Sequence, residues 1–435
     1  MTPGRYLAVR AASIYLPIVV LALACLITRP HRRAVTGAFM SMAWNVPALM
    51  GIHLVADRAG WWQFDAEGGM LLGFPVDLWL GWAVLWGPLP ALALPTAPLT
   101  IVAIVGLAID LILMPAGFPV VRLGDEWLVG EFVALGFCLV PAQLLARWTR
   151  ADCRLPERAV LQVIAFCGLL GLVLPAIAID ASHTPWLNPL RYPRWALGLL
   201  VQLLAVPALV GLSAVQEFVT RGLGTPVPFD PPRRIVTTGP YAYVANPMQV
   251  SAVLLLLMLG AIIQNPWVAA AGVMGHIYSI GLAGWDEDAD LSARFGTAWV
   301  AYGRNVRSWL PRWRPWYRDD APMATLYVSE ECDMCREVSA WFRSRRARGL
   351  SIVAAEDHPS DALTRITYES TDGNYRSSGM EAVARALEHV TLGWALLGFA
   401  MRLPIVSPFV QLLADASGAE PRTVNRRSSR AQCGS

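Results

Sequence analysis

Long apolar runs fill the first two thirds of the chain, and charged residues become frequent only beyond about residue 285. A run of about 20 apolar residues is long enough to cross a bilayer as a helix. About nine such runs are present, so the pattern predicts about nine transmembrane helices. Their predicted starts lie near Ser13, Thr36, Met70, Pro98, Trp127, Arg158, Tyr192, Pro247 and Trp267. Pro266 predicts a tight turn, which makes the last two spans a helical hairpin.

The pattern changes at about Ala324, where shorter apolar segments alternate with polar ones. Strands are predicted over residues 325–328, 350–355 and 363–368. One helix is predicted to follow the first strand and end at Arg345, and a second helix is predicted over residues 378–390. The apolar stretch 390–413 contains Arg402 and Pro404, so it predicts two amphipathic helices on the domain or the membrane surface. The chain is therefore predicted to be an all-α polytopic membrane protein with a C-terminal α/β domain.

These changes of pattern divide the chain into four predicted regions. Residues 1–185 form an N-terminal transmembrane helical domain, and residues 186–318 form a second transmembrane domain. Residues 319–417 form a soluble domain. Residues 418–435 are polar and predicted to be a disordered tail.

Composition agrees with a membrane protein: 55% of the residues are hydrophobic, only 15% are charged, and 18 are tryptophan. The net charge is +3 and no basic run contains interleaved aromatic residues, which argues against a nucleic-acid partner. Most cationic clusters follow odd-numbered spans, which predicts that the N-terminus lies outside and the C-terminal domain lies in the cytoplasm. The predicted location of the protein is the inner (plasma) membrane. These clusters are centred on Arg32, Arg150 and Arg233.

Four acidic residues lie inside or at the edge of apolar runs: Asp77, Asp110, Glu131 and Glu217. A carboxylate is costly in hydrocarbon, so it usually faces the bundle interior or a polar cavity. For Asp77 and Asp110 a functional site and a hydrogen-bonded packing role are both open. For Glu131 and Glu217, and for the single mid-span His276, the pattern favours packing.

The stretch from Gly224 to Pro311 carries the most informative motif. It contains a proline-rich loop, Gly239-Pro240-Tyr241-Ala242-Tyr243-Val244-Ala245-Asn246-Pro247, then the predicted hairpin, Trp285-Asp286-Glu287-Asp288, Phe295-Gly296 and Tyr302. Gly-Pro is turn chemistry, and Asn246-Pro247 predicts a helix start. Because the two ends of a hairpin lie close together, Glu287 and Asp288 are expected near the 241–246 loop, where they form a polar pocket at the cytoplasmic face.

This order and spacing resemble the isoprenylcysteine carboxyl methyltransferase and phospholipid methyltransferase superfamily. The resemblance implies S-adenosylmethionine bound among membrane helices and a lipid-like, membrane-borne methyl acceptor. It places cofactor contacts at Gly239, Tyr241, Tyr243, Asn246, Pro247, Glu287, Asp288 and Tyr302. The chain departs from the family at Ala245, where the family has arginine, and this removes a fork of donors suited to carboxylates.

The C-terminal domain opens with a predicted strand, then Cys332-Asp333-Met334-Cys335, then a helix. A thiol at a helix N-terminus is a candidate redox nucleophile, with Cys332 attacking and Cys335 resolving. The domain resembles the thioredoxin-like proteins with an Asp-Cys-Cys signature, which implies a thiol partner protein. No metal site is predicted, because zinc needs more ligands than this pair supplies.

Three functions remain open at this point. The first is a membrane-embedded S-adenosylmethionine-dependent methyltransferase with a fused CxxC domain. The second is a membrane-tethered thiol-disulfide oxidoreductase, and the third is a non-catalytic scaffold with a degenerate methyltransferase motif. Glu330, Glu331 and Asp333 flank the thiols and raise their expected pKa, which favours an inert CxxC domain.

Overall fold

The structure, a computed structural model, describes residues 3–185, 187–227, 230–317, 323–359, 363–422 and 424, without the side chains of residues 3 and 282–287. The rest of the predicted disordered tail lies outside the described residues. The chain divides into two compact units. The N-terminal unit contains Met1–Arg191, Thr225–Pro231 and Leu256–Ala271, and the C-terminal unit contains Tyr192–Gly224, Pro232–Leu255 and Gly272–Ser435.

The first 191 residues are mostly helical because apolar runs recur between short turns. Their elements are α1 (Pro3–Thr28), α2 (Arg32–Ala59), β1 (Trp62–Phe64), β2 (Met70–Leu71), β3 (Phe74–Pro75), α3 (Val76–Trp86), α4 (Pro88–Ala93), α5 (Leu99–Ala116), β4 (Val121–Leu123), α6 (Trp127–Ala134), α7 (Val140–Ala151), α8 (Leu155–Gly168) and α9 (Leu174–Ser182). Single π-helical turns, Leu135–Leu139 and Leu169–Val173, join α6 to α7 and α8 to α9. β1 pairs with β4 and β2 with β3, both antiparallel.

Close helix packing forms the core of the N-terminal unit. Gly81 on α3 faces the backbone of Ser13 on α1, where a Cβ atom would come within 1.9 Å of the carbonyl oxygen. Leu78, Trp86 and Leu139 are among the fully buried side chains of this core. Because lipid tails are as apolar as these side chains, such packing stabilises the unit through van der Waals contacts between its helices.

The remaining helices begin at Arg194. They are α10 (Arg194–Glu217), continued by the π turn Phe218–Gly222, α11 (Pro247–Ile262), α12 (Pro266–Tyr278), the π turn Ser279–Ala283, α13 (Gly284–Phe295) and α14 (Thr297–Asn305). α11 starts at Pro247 as predicted, and Asn265 caps α12 by accepting hydrogen bonds at 3.1 Å from the backbone of Trp267 and Val268.

The C-terminal end of the chain forms a four-stranded sheet covered by helices. Its elements are β5 (Ala324–Val328), α15 (Asp333–Ser344), β6 (Leu350–Ala354), β7 (Thr367–Ser370), β8 (Arg376–Ser378), α16 (Met380–Leu387), α17 (Leu392–Met401) and α18 (Val406–Ala416). The strand order is β6-β5-β7-β8, with β5 and β6 parallel and the other pairs antiparallel. Leu326, Phe342 and Ala382 lie in its core.

Within the described residues, seven helices are long and apolar enough to cross a membrane, or eight if the bent pair α17–α18 is one span. The seven are Gly4–Thr28, Arg32–Ala59, Val76–Ala93, Leu99–Ala116, Trp127–Ala151, Leu155–Ser182 and Arg194–Gly222. The prediction of a mostly helical chain with many membrane-length helices and a small C-terminal sheet is confirmed. α11, at 16 residues, is shorter than a usual span, so nine spans stay a prediction.

Candidate functional site

The motif loop is a tight turn packed inside the C-terminal unit. Gly239 has φ +60°, and a Cβ atom there would lie 3.2 Å from the side chain of Glu217, so glycine suits this position on two grounds. It starts a 3-10 turn, Gly239–Ala242. Tyr241 and Tyr243 follow and are both buried. Their rings therefore pack in the protein interior.

Two of the predicted cofactor-binding tyrosines make structural hydrogen bonds. The hydroxyl group of Tyr243 donates to the carbonyl oxygen of Glu388 at 2.9 Å, and that of Tyr302 donates to the carbonyl oxygen of Tyr241 at 2.8 Å. Burial raises the pKa of the Tyr302 hydroxyl well above its ordinary value, so it stays protonated. These tyrosines hold the motif loop in place.

An open cleft of about 750 Å³ lies beside the motif loop, within the C-terminal unit. The residues that line it are Ala245, Asn246, Ser279, Ile280, Asp288, Ser292, Trp299, Val300, Gly303, Arg304, Val306, Ser308 and Trp309. Backbone hydrogen bonds from Ala245 to Arg307 (2.9 Å) and from Asn246 to Ser308 (3.2 Å) fix one edge of it. Its volume is in the range of sites for drug-sized ligands.

The cleft brings together two of the predicted cofactor-binding residues, Asn246 and Asp288. The indole N–H of Trp299 donates to Oδ1 of Asp288 at 2.6 Å, which orients the carboxylate. Gly239, Tyr241, Tyr243, Pro247 and Tyr302 do not line the cleft. The side chain of Glu287 lies outside the described part of the structure, although its backbone belongs to α13.

Sequence reasoning missed one charged residue of the cleft, Arg304. It lies on α14 and lines the same cleft as Ala245, the position at which the resembled family has arginine. Val300, Gly303 and Arg304 share a face of α14 because they are three and four residues apart. The helical spacing of Val300, Gly303 and Arg304 is the sequence signal that could have placed Arg304 in the cleft.

The CxxC pair lies at the start of α15, as predicted, and both thiols are free and half-buried. Burial raises the pKa of the Cys335 thiol to about 12, and a hydrogen bond with Cys332 and the charge of Cys332 act in the same direction. Glu356 lies behind the pair and accepts hydrogen bonds from Ser329 (2.7 Å) and the backbone of Glu330 (3.0 Å). Among the described residues, no group of three or more metal-ligating side chains is present.

We expect Cys335 to be nearly unreactive at neutral pH because its thiolate is scarce. Alkylation by iodoacetamide at pH 7.4, mapped by mass spectrometry, should be more than a hundredfold slower at Cys335 than at free cysteine. Exposed Cys153 is the internal control for reagent access. A Cys335 rate within tenfold of the Cys153 rate would contradict the assignment.

A buried ion cluster of four residues, Glu217, Arg385, Glu388 and Arg402, lies beneath the motif loop. Arg385 contacts Glu217 at 2.7 Å and Glu388 at 3.2 Å, and Arg402 contacts Glu388 at 2.5 Å and Glu217 at 3.3 Å. The hydroxyl of Thr238, just before the motif loop, donates to Glu217. The cluster therefore joins the end of α10, the loop and the helices that cover the sheet.

The other intramembrane acids lie in the N-terminal unit. Asp77 forms an ion pair with Arg10 of α1 at 2.6 Å, so its charge is neutralised by a structural partner. Asp110 of α5 and Glu131 of α6 are both buried, and their carboxyl groups interact with each other. His276 packs edge-on against Trp309 at 4.1 Å, in the C-terminal unit.

No protein-family model, no curated protein and no solved structure matches the chain.

Proposed function

We propose that the chain is a membrane-embedded S-adenosylmethionine-dependent methyltransferase, and that the cleft beside the motif loop is its cofactor site. The observation that carries the proposal is the meeting of Asn246, from the motif loop, with Asp288, from the acidic helix, in one cleft of sufficient volume. These two residues are 42 positions apart in the sequence. The resembled family also has a hairpin between the corresponding loop and acidic segment.

The charges of the cleft suit an amino-acid moiety. Asp288 supplies a carboxylate for an ammonium group, and Arg304 supplies a guanidinium for a carboxylate, which answers the absence of arginine at position 245. The indole of Trp299 offers a π face to a sulfonium cation. These residues would bind and orient the cofactor, and orientation of the reactants is the main requirement for methyl transfer.

The bound cofactor would supply an electrophilic methyl group, whose bond to sulfur breaks as the acceptor nucleophile attacks. The acceptor is proposed to be lipid-like, because seven of the described helices are long and apolar enough to cross a membrane. We further propose nine spans, an inner-membrane location and a cytoplasmic C-terminal domain, as the charge pattern predicts.

Titration calorimetry of the full-length protein in detergent tests this proposal. S-adenosylmethionine should bind to the wild type, and Asp288→Asn should weaken binding by about tenfold or more, since a hydrogen bond to a charged group is lost. Asp290→Asn is the matched control, because Asp290 lies on the same helix, is exposed and pairs only with Arg294 among the described residues. Absence of binding, or equal affinity in both variants, would remove the methyltransferase assignment.

A thiol-disulfide oxidoreductase is the second candidate. The parallel β5–α15–β6 unit, with Cys332 and Cys335 at the start of the helix, supports a thioredoxin-like domain. The raised pKa of Cys335 concerns the resolving thiol and does not bear on attack by Cys332. A thiol partner protein belongs to the redox proposal only.

A further inference from the structure

A pair of buried acids in the N-terminal unit has no assigned partner of opposite charge. Asp110 is 0% exposed and Glu131 is 2% exposed. Among the residues that the structure describes, no arginine or lysine forms an ion pair with either of them. The indole N–H of Trp82 donates to Oδ1 of Asp110 at 3.0 Å, whereas Oδ2 has no hydrogen-bond partner. Two carboxyl groups that interact in a buried site repel unless a proton or a cation lies with them.

Glu131 lines a small aromatic cavity, and Asp110 lies behind it and does not line the cavity. The cavity has a volume of about 40 Å³, and Glu131, His53, Trp62, Phe64, Trp82 and Trp86 are among the residues that line it. This volume holds about three water molecules, by the usual measure of 10–15 Å³ for each. Several indole and phenyl rings around a carboxyl group are the surroundings in which proteins hold ammonium cations.

A buried imidazole adds an acceptor to this cavity. Nε2 of His53 lies 3.1 Å from the carbonyl oxygen of Leu72, which can only accept, so Nε2 carries the hydrogen. Nδ1 therefore has a lone pair, and it has no partner although His53 is only 3% exposed. Phe64 and Phe74 pack against the ring at 5.3 Å and 4.8 Å and hold it in place. His53 and Glu131 both line the cavity, so an imidazole and a carboxyl group border the space that a hydrogen-bond donor would occupy.

An apolar groove adjoins the aromatic cavity. It has a volume of about 400 Å³, lies between α1, α3 and α5, and shares Leu78 and Trp82 with the cavity. Its lining is apolar apart from Ser13. A groove between helices of membrane-spanning length suits an alkyl chain, and the cavity beside it suits a small cationic head.

We propose that the N-terminal unit binds an alkylammonium amphiphile, with the primary ammonium group in the aromatic cavity and the alkyl chain in the groove. Charge balance follows from the acid pair: the ammonium enters and one proton leaves the two carboxyl groups. The groups that face the pair or His53 are Cys138, from the turn after α6, and Asp57, on α2. The site is separate from the cofactor cleft and does not depend on the proposed methyltransferase activity.

Thermal unfolding of the full-length protein in detergent, with n-octylammonium chloride as the probe, tests the site. The probe should raise the unfolding temperature saturably, whereas n-octanol, with the same chain and no charge, should not. Octyltrimethylammonium should bind more weakly because its head exceeds the cavity. In weakly buffered solution, about one proton should appear for each octylammonium bound, by charge balance at the acid pair.

The matched variants separate specific binding from filling of the groove. Glu131→Gln should raise the half-saturating concentration of octylammonium by about tenfold or more, and Glu126→Gln, at an exposed position just before the same helix, should leave it unchanged. If Glu131→Gln fails to fold, the half-saturating concentration of octylammonium in Asp110→Asn and the proton release of the wild type test the site instead. Equal stabilisation by octanol, an unchanged affinity in Glu131→Gln, or binding without proton release would each overturn the proposal.

Discussion

Replacing Arg385 by methionine is expected to destabilise the C-terminal unit by about 3–5 kcal/mol. The guanidinium lies between Glu217 (2.7 Å) and Glu388 (3.2 Å), and all three side chains are at most 2% exposed. Removal of the cation leaves Glu388 with Arg402 alone, and Glu217 with Arg402 and the more distant Arg221 (3.7 Å), in a site from which water is excluded. Methionine keeps much of the volume of the arginine side chain. The loss of stability therefore reflects the uncompensated charge more than the creation of a cavity. Equilibrium unfolding by urea in mild detergent would give the difference.

Arg376→Met is the matched control for this experiment. Arg376 also pairs with a glutamate, Glu369, at 3.2 Å, but its side chain is 49% exposed. An exposed pair contributes about 0–1 kcal/mol, so its loss should be small. The double variant Glu217→Gln, Arg385→Met should recover part of the stability, since it removes an acid together with the base. Similar losses for Arg385→Met and Arg376→Met would contradict the assigned role of the buried ion cluster.

The same substitution would also affect the motif loop, which borders the cleft. Thr238 donates to Glu217, and Tyr243 donates to the backbone of Glu388, so both ends of the motif loop rest on the cluster. The fused sheet and its helices therefore hold the loop, whatever the redox activity of their thiols.

Helices were the part of the fold that the sequence could predict. A run of about 20 apolar residues is a local signal, and it identified each of the seven membrane-length helices. Their starts were less accurate: the third run was placed at Met70, whereas α3 begins at Val76 after a short β-hairpin. That hairpin is itself apolar, so composition did not separate it from the helix.

Short polar strands were beyond the reach of the sequence pattern. β8 has three polar residues, Arg376–Ser378, and is a strand only because β7 pairs with it. The third strand was predicted at 363–368, but pairing with β5 places it at Thr367–Ser370. Sheet pairing depends on partners far away in the chain, which a local pattern does not contain.

The candidate site could be predicted only in outline. The motif indicated which segments meet, and Asn246 and Asp288 do line one cleft. It did not indicate which side chains of each segment point into the cleft, so Tyr243 and Tyr302 were expected to bind a cofactor. The buried ion cluster was hidden because Glu217 and Arg385 are far apart in sequence. Such contacts follow from tertiary packing alone.

Acid is expected to destabilise the C-terminal unit through His389, by roughly 3 kcal/mol between pH 6.5 and pH 4. Nδ1 of His389 donates to the carbonyl oxygen of Arg348 at 2.7 Å, and Nε2 accepts from the hydroxyl of Tyr368 at 3.0 Å. The ring is neutral in this arrangement. The pKa of His389 is lowered from 6.5 to about 4, mainly by burial. The hydrogen bond to Arg348 opposes this shift, and the nearby charges of Arg385 and Arg221 add to it.

The direction of the effect follows from proton binding. The unfolded chain takes up the proton near pH 6.5 and the folded chain only near pH 4, so the unfolded state binds more protons between these values. The stability that neutral His389 contributes is fully present above pH 6.5 and is lost as the pH falls toward 4. His389→Gln keeps a donor and an acceptor but has no proton to gain. The free energy of unfolding, measured from pH 7 to pH 4, should therefore fall more steeply in the wild type than in His389→Gln. Parallel profiles would show that other groups cause the acid sensitivity.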